Sequence, residues 1–144
     1  MQPISPDLQA AVLCEDVRTE AAGSQTLVGV IGAVPAPQLP IGFFKLCLWT
    51  RWCGGLGRFR QDSRFLDPDD RPVAEAGIDF ELREIEGSAT NVHFFGGVQI
   101  KQFGVHHVEI LLDGDLRMRF AVPVIRVAQP PPGSPPPSFQ TPDA

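Results

Sequence analysis

The stretch that most constrains this chain is 104–127, GVHHVEILLDGDLRMRFAVPVIRV, the longest run with a two-residue period. Successive side chains of a strand point to opposite sides. His106, Val108, Ile110 and Leu112 therefore share one face, and Val105, His107, Glu109 and Leu111 take the other. After Asp113-Gly114 the alternation resumes, with Leu116, Met118, Phe120 and Val122 on one side and Arg117 and Arg119 opposite. The pattern predicts a β-hairpin with one buried and one solvated face. Paired residues must share a face, so a two-residue Asp113-Gly114 loop, which sets Ile110 against Arg117, is disfavoured. A three-residue loop, Leu112-Asp113-Gly114, pairs Ile110 with Leu116, Val108 with Met118 and Glu109 with Arg117, and requires positive φ at Gly114.

The rest of the chain reads in the same language. Residues 1–8, with Pro3 and Pro6, are expected to be a flexible lead-in. Residues 9–14 (QAAVLC) read as a short strand, and EDVRTEAAG as a turn or a single helical coil. Residues 26–34 (TLVGVIGAV) are apolar on both faces and predict a central strand, with Gly29 and Gly32 marking bulges or close backbone approach. A Pro-rich crossing over 35–42 leads to a strand at 43–52. There Phe44, Leu46, Leu48, Thr50 and Trp52 line one face, and Phe43, Lys45, Cys47, Trp49 and Arg51 the other. A strand at 58–66 ends in the turn LDPDDRP, and Ile78, Phe80 and Leu82 alternate with Asp79, Glu81 and Arg83 as a half-buried strand. Pieces at 91–95 and 98–103 are separated by Gly96-Gly97, and Pro123 implies an edge or a bulge in the last strand. The tail 128–144, rich in proline, is expected to be disordered. About eight short strands without an amphipathic helix of useful length predict an all-β antiparallel sandwich over 9–127.

Composition narrows the functional classes. A net charge of −5 argues against general affinity for nucleic acid or an anionic membrane. No apolar run approaches the roughly 20 residues of a spanning helix. The start MQPISPDLQ has no basic or apolar signal region, so a cytoplasmic location is expected. Cys14, Cys47 and Cys53 are odd in number and fit neither a disulfide framework nor a zinc knuckle, which predicts reduced, packed thiols.

Several landmarks carry a resemblance: Leu13-Cys14-Glu15-Asp16, LVGVIG at 27–32, Pro40 before an aromatic strand, LDPDD at 66–70, and the closing Gly104…LLDG…Val127. Over 9–127 the chain resembles a family of short bacterial proteins known only as a domain of unknown function. The resemblance implies a β-sandwich of immunoglobulin-like or C2-like shape and no catalytic residues. The chain departs from the family in carrying Asp69-Asp70 where Asp-Gly is usual, and His106 where tyrosine is usual.

No catalytic, cofactor-binding or metal-binding constellation emerges. His106 and His107 are adjacent in a strand and point to opposite faces; His106 reads as a core histidine satisfied by one hydrogen bond. His107 and Glu109 are an i, i+2 pair on the outer face, where an acid–base or metal role lacks a third partner. Asp67, Asp69 and Asp70 supply part of a calcium set, but a simple turn is the better reading. Trp49, Arg51, Arg58 and Arg60 lie in a stretch without acids, 41–61, and could together bind an anionic ligand or single-stranded nucleic acid. Against this, residues 67–86 are acidic, and oppositely charged neighbouring strands would neutralise each other across one sheet face. The sequence therefore predicts a non-enzymatic binding or assembly module without a cofactor. Its expected partner is another protein, or a second copy through an edge strand, since Pro123 protects only part of the last one.

Overall fold

A computed structural model describes residues 2–129 and Gly133. Nine strands and no helix are found among these residues: β1 (Asp7–Thr19), β2 (Gln25–Val30), β3 (Val34–Ala36), β4 (Ile41–Cys53), β5 (Gly57–Leu66), β6 (Pro72–Leu82), β7 (Ser88–Ile100), β8 (Gly104–Leu112) and β9 (Asp115–Arg126). They form a four-stranded sheet ordered β2-β1-β4-β7 and a five-stranded sheet ordered β3-β9-β8-β5-β6. The sheets pack face to face as a β-sandwich. Leu13, Leu46, Leu48, Trp52 and Phe95 from the first meet Phe59, Phe65, Val108, Ile110, Leu112 and Val122 from the second in one buried cluster. All pairs are antiparallel except β3 with β9, which run parallel. The sandwich expected from strand alternation is therefore present. The Pro-rich tail beyond 129 lies outside the described residues, apart from Gly133.

A polar knot ties the two layers together inside this core. Gln61 of β5 is fully buried, and its Oε1 accepts from Thr50 Oγ1 (2.8 Å), Trp52 Nε1 (2.8 Å) and Asn91 Nδ2 (2.9 Å) of the facing sheet. Its Nε2 donates to Ser63 Oγ at 2.9 Å. Buried polar groups need such partners, because an unpaired one carries its full desolvation penalty.

Several local expectations are corrected. The hairpin turn is the two-residue Asp113-Gly114, with φ of 48° and 87°, the left-handed pair that suits strand twist. Parity is restored one step inside the strand: a register shift between Ile110 and Leu111 leaves Arg117 as an extra residue, so Ile110 lies opposite Met118 and Glu109 opposite Arg119. Arg117, freed from the ladder, donates to Ser5 Oγ at 2.6 Å. Part of the lead-in packs on the sandwich. Ile4 and Leu56 exchange two backbone hydrogen bonds of 2.8 Å, and Pro6 is buried on Gly55, where a Cβ would come within 2.6 Å of it.

Residues 15–19 continue β1 rather than turning, because β2 pairs with them from Asp16↔Val28 to Thr19↔Gln25; the ladder outweighs local helix preference. β2 is itself an edge strand, not a central one. The Pro-rich crossing contains β3, an edge position that proline tolerates. The two pieces expected on either side of Gly96-Gly97 are one strand, β7, ending at Ile100.

Ile78 is also corrected, since it is 38% exposed while Phe80 is half-buried and Leu82 is buried. β6 is an edge strand whose Val73, Ala74 and Ala76 near the start and Phe80 and Leu82 at the end pack on the core, while Ile78 between them does not. Phe80 packs with ring centroids 5.9 Å from Trp52 and 5.8 Å from Phe59. Phe80→Ala is expected to lower stability by about 3 kcal/mol, at the low end for an aromatic truncation because the ring is not fully covered. Urea unfolding checks this, and a loss below about 1 kcal/mol would mean the ring does not pack there.

Candidate functional site

The structure separates the residues that the sequence grouped. Trp49 and Arg51 lie on β4, on the outer face of the four-stranded sheet, while Arg58 and Arg60 lie on β5, on the outer face of the other sheet. The chain changes sheets between Cys53 and Gly57 through glycines with positive φ, Gly54 (74°) and Gly57 (126°). Neighbours in sequence thereby come to lie on opposite sides of the molecule.

The outer face of the five-stranded sheet is a mosaic of ion pairs. Arg58 lies 3.8 Å from Glu81, and Arg60 lies 3.3 Å from both Asp62 and Asp79, so β6 neutralises β5 as its acidic sequence predicts. Asp79 and Asp62 together hold the Arg60 guanidinium charged, raising its pKa. Glu109, only 7% exposed, takes Arg64 at 2.8 Å on one oxygen and Arg119 at 2.7 Å on the other. Arg119 also binds Asp70 at 2.8 Å, which holds that carboxyl below its usual range. His107 lies beside this network, its Nδ1 buried and without a partner among the described residues. The carboxylate of Glu109 is thus committed to two guanidiniums rather than to His107. No group of three His, Cys, Asp or Glu side chains among the described residues is placed to hold a metal ion. A cleft of about 480 Å3 between Arg60, Arg64, Glu75 and Leu111 is floored by Gly77, where a Cβ would strike the Arg60 guanidinium.

The LDPDDRP loop is a turn. Asp67 Oδ1 accepts the backbone N–H groups of Asp69 (2.8 Å) and Arg71 (2.9 Å). Asp70 has φ of 59°, the left-handed conformation that glycine adopts without strain and Asp tolerates. His106 is a buried core histidine with one hydrogen bond, donating from Nδ1 to the Gly104 carbonyl at 3.3 Å and stacking on Phe65.

The outer face of the four-stranded sheet has a different character. Ladder pairing sets Val30, Cys14, Cys47 and Phe94 in one row across all four strands, and Val12, Trp49 and Val92 in the next. A salt bridge between Lys45 and Asp16 borders the rows on one side, and Arg51 donating to Gln9 Oε1 at 2.6 Å borders them on the other. The bond from Lys45 holds the Asp16 carboxyl below its usual range. Cys14 and Cys47 lie directly opposite each other, both buried and free. Burial raises both thiol pKa values, and Cys47 raises that of Cys14 further, so the pair stays protonated and acts as filler. Trp49 donates its indole N–H to Gln25 Oε1 at 2.7 Å.

At the two ends of the first row stand apolar side chains in water, Val30 66% exposed and Phe94 54%, and further along β4 Phe44 is 93% exposed. Strand alternation puts Phe44 on one face with Leu46, yet Leu46 is buried and Phe44 is not. Its ladder position falls opposite Gly97, which has φ of +64°, and the buried face switches there in both strands. Leu46 and Phe95 are buried on one side of this kink, Phe43 and Val98 are turned inward on the other, and Phe44 is expelled. Of this surface the sequence singled out Trp49 and Arg51 and missed Val30, Phe44 and Phe94. The signal it held was Gly96-Gly97, a point where alternation cannot be carried through.

Fold and surface together define an all-β sandwich with one ion-paired outer face and one largely apolar outer face. The chain belongs to DUF6941, a family of unknown function, whose model matches residues 9–125. A search of curated proteins finds no match. No helix among the described residues is long and apolar enough to cross a membrane.

Proposed function

We propose that this chain is a non-enzymatic protein-binding or assembly module, and that its binding face is the outer side of the four-stranded sheet. The observation that carries the reading is Phe44, 93% exposed, on the same pair of strands as the half-exposed Phe94, whose ring Lys45 approaches to 5.5 Å. Large aromatic side chains are seldom left this exposed without use, and aromatic anchors dominate protein interfaces. The flanking Lys45–Asp16 pair and Arg51 supply the polar rim that such faces carry. The placing of Arg58 and Arg60 on the other sheet from Trp49 and Arg51, with Arg60 held by Asp62 and Asp79, weighs against the alternative, an anion or single-stranded nucleic-acid face shared by all four. The free thiols support a cytoplasmic setting.

The test compares capture of partners by the wild-type chain with capture by Val30→Ser/Phe44→Ser. Both side chains are exposed, so the variant should melt as the wild type does while losing at least tenfold in affinity for whatever protein the wild type retains. An unchanged partner set with unchanged affinity would overturn the choice of face. Turnover of a hydrolase or transferase substrate that is lost in His107→Ala would overturn the non-enzymatic reading.

A further inference from the structure

A sandwich has four outer edges, and three of them here are blunted. β6 carries Glu75, Asp79 and Glu81 and opens on Pro72. β2 and β3 are six and three residues long. The part of β9 that β3 leaves uncovered, 115–123, holds Asp115, Arg117, Arg119, Pro123 and the bulge. The part of β1 beyond β2 begins at Asp7 and has its own register shift between Leu8 and Ala10. Charge, proline, bulges and brevity are the devices that keep sheet edges from pairing. β7 differs. It is 13 residues long, pairs only with β4 among the described residues, and has no Asp, Glu, Lys, Arg or Pro. Its one interruption is the Gly96-Gly97 kink; the stretch 88–96 is regular, and β6 of the facing sheet comes near β7 without joining its ladder.

We propose that two copies of this chain associate through β7, antiparallel about a two-fold axis, joining their four-stranded sheets into one eight-stranded sheet. The proposal rests on the reading of that sheet's outer face as a binding surface and names the occupant of its edge. A second copy is the occupant because a charge-free strand is complementary to itself. Association of two chains of net charge −5 is opposed wherever like charges meet, and β7 is the longest edge at which none do. A perpendicular two-fold axis keeps outer side chains on the outer side, so the half-exposed Phe94 of each copy extends the apolar rows of the other. Same-face pairing with apolar matching selects the register that sets Val92 of one copy opposite Phe94 of the second.

Sedimentation equilibrium of the purified full chain tests this. The expected mass is twice the 15.7 kDa of one chain. Phe94→Lys places a cation in each half of the junction and should raise the dimer dissociation constant at least tenfold, with the thermal transition of the monomer retained. Phe94→Leu should stay dimeric, as should Glu75→Lys on the guarded β6 edge. A wild-type chain that remains monomeric at its highest soluble concentration, or a Phe94→Lys variant as dimeric as wild type, would overturn the proposal. A monomer that still loses a partner protein in Val30→Ser/Phe44→Ser would refute the dimer and leave the binding face standing. A β7 dimer whose partners are indifferent to those substitutions would do the reverse.

Discussion

Replacing Gln61 with leucine is expected to remove about 3–5 kcal/mol of stability, although leucine is close to glutamine in size and the site is fully buried. The loss comes from the groups left behind. Trp52 Nε1 and Asn91 Nδ2 both donate to Gln61 Oε1, and neither has another acceptor among the described residues. Each buried donor left without a partner costs about 1–3 kcal/mol. Thr50 is spared, because its hydroxyl also reaches the Asn91 carbonyl at 3.2 Å. Thr50→Val should therefore cost less than Gln61→Leu, an ordering that a surface role for these residues would not produce. Urea unfolding measures both. A Gln61→Leu loss below about 1 kcal/mol would show that the two sheets are not tied through this side chain.

The second large effect is on acid stability. His93 is buried with neither ring nitrogen hydrogen-bonded among the described residues, and burial depresses its pKa from the usual 6.5, with the nearby Asp62 opposing weakly. Burial depresses His106 likewise, against the bond to the Gly104 carbonyl. Both imidazoles are thus neutral in the fold and take up a proton more readily when it opens. The unfolded chain binds more protons between the folded and unfolded pKa values, so stability is complete above about pH 6.5 and falls as the pH drops below it. Each histidine contributes a slope of at most about 1.4 kcal/mol per pH unit. Asp16 and Asp70, whose carboxyls are held below their usual 3.8, lose their contribution only at lower pH, so the interval from 6.5 to 5 isolates the imidazoles. Denaturation midpoints measured across that interval should fall for the wild type and fall less for His93→Leu. A flat profile, or one unchanged in the variant, would contradict buried neutral histidines.

Much of this architecture was readable because side-chain direction in a strand has a period of two. The buried faces of β8 and of β4 from Leu46 onward, and the neutralisation of Arg58 and Arg60 by β6, follow from parity and charge alone. What the sequence could not supply was anything that breaks parity. The Asp113-Gly114 turn forced an inconsistency that an odd loop would resolve, but the protein resolves it with an extra residue at Arg117, and the two solutions look alike in one dimension. Val30 falls in a segment that reads as a central strand, and Phe44 shares a face with Leu46 by parity, so neither stands out as exposed in the sequence. Their exposure depends on β2 having no further neighbour and on Gly97 adopting positive φ across from Phe44. The candidate site was legible only at Trp49 and Arg51, since its other members come together through pairings of β2, β1, β4 and β7 that lie far apart in the chain. Arg58 and Arg60 looked like their companions because sequence distance is short where the chain changes sheets.

Site-specific photo-crosslinking addresses the binding face most directly. A photoreactive phenylalanine analogue at Phe44, and in parallel at Arg58 on the outer face of the other sheet, is irradiated in the intact cell. Discrete higher-mass adducts at position 44, absent from position 58 and resolved by mass as a second copy or another protein, are the predicted result. Adducts at position 58 alone, or at neither position, would contradict a working surface on the four-stranded sheet.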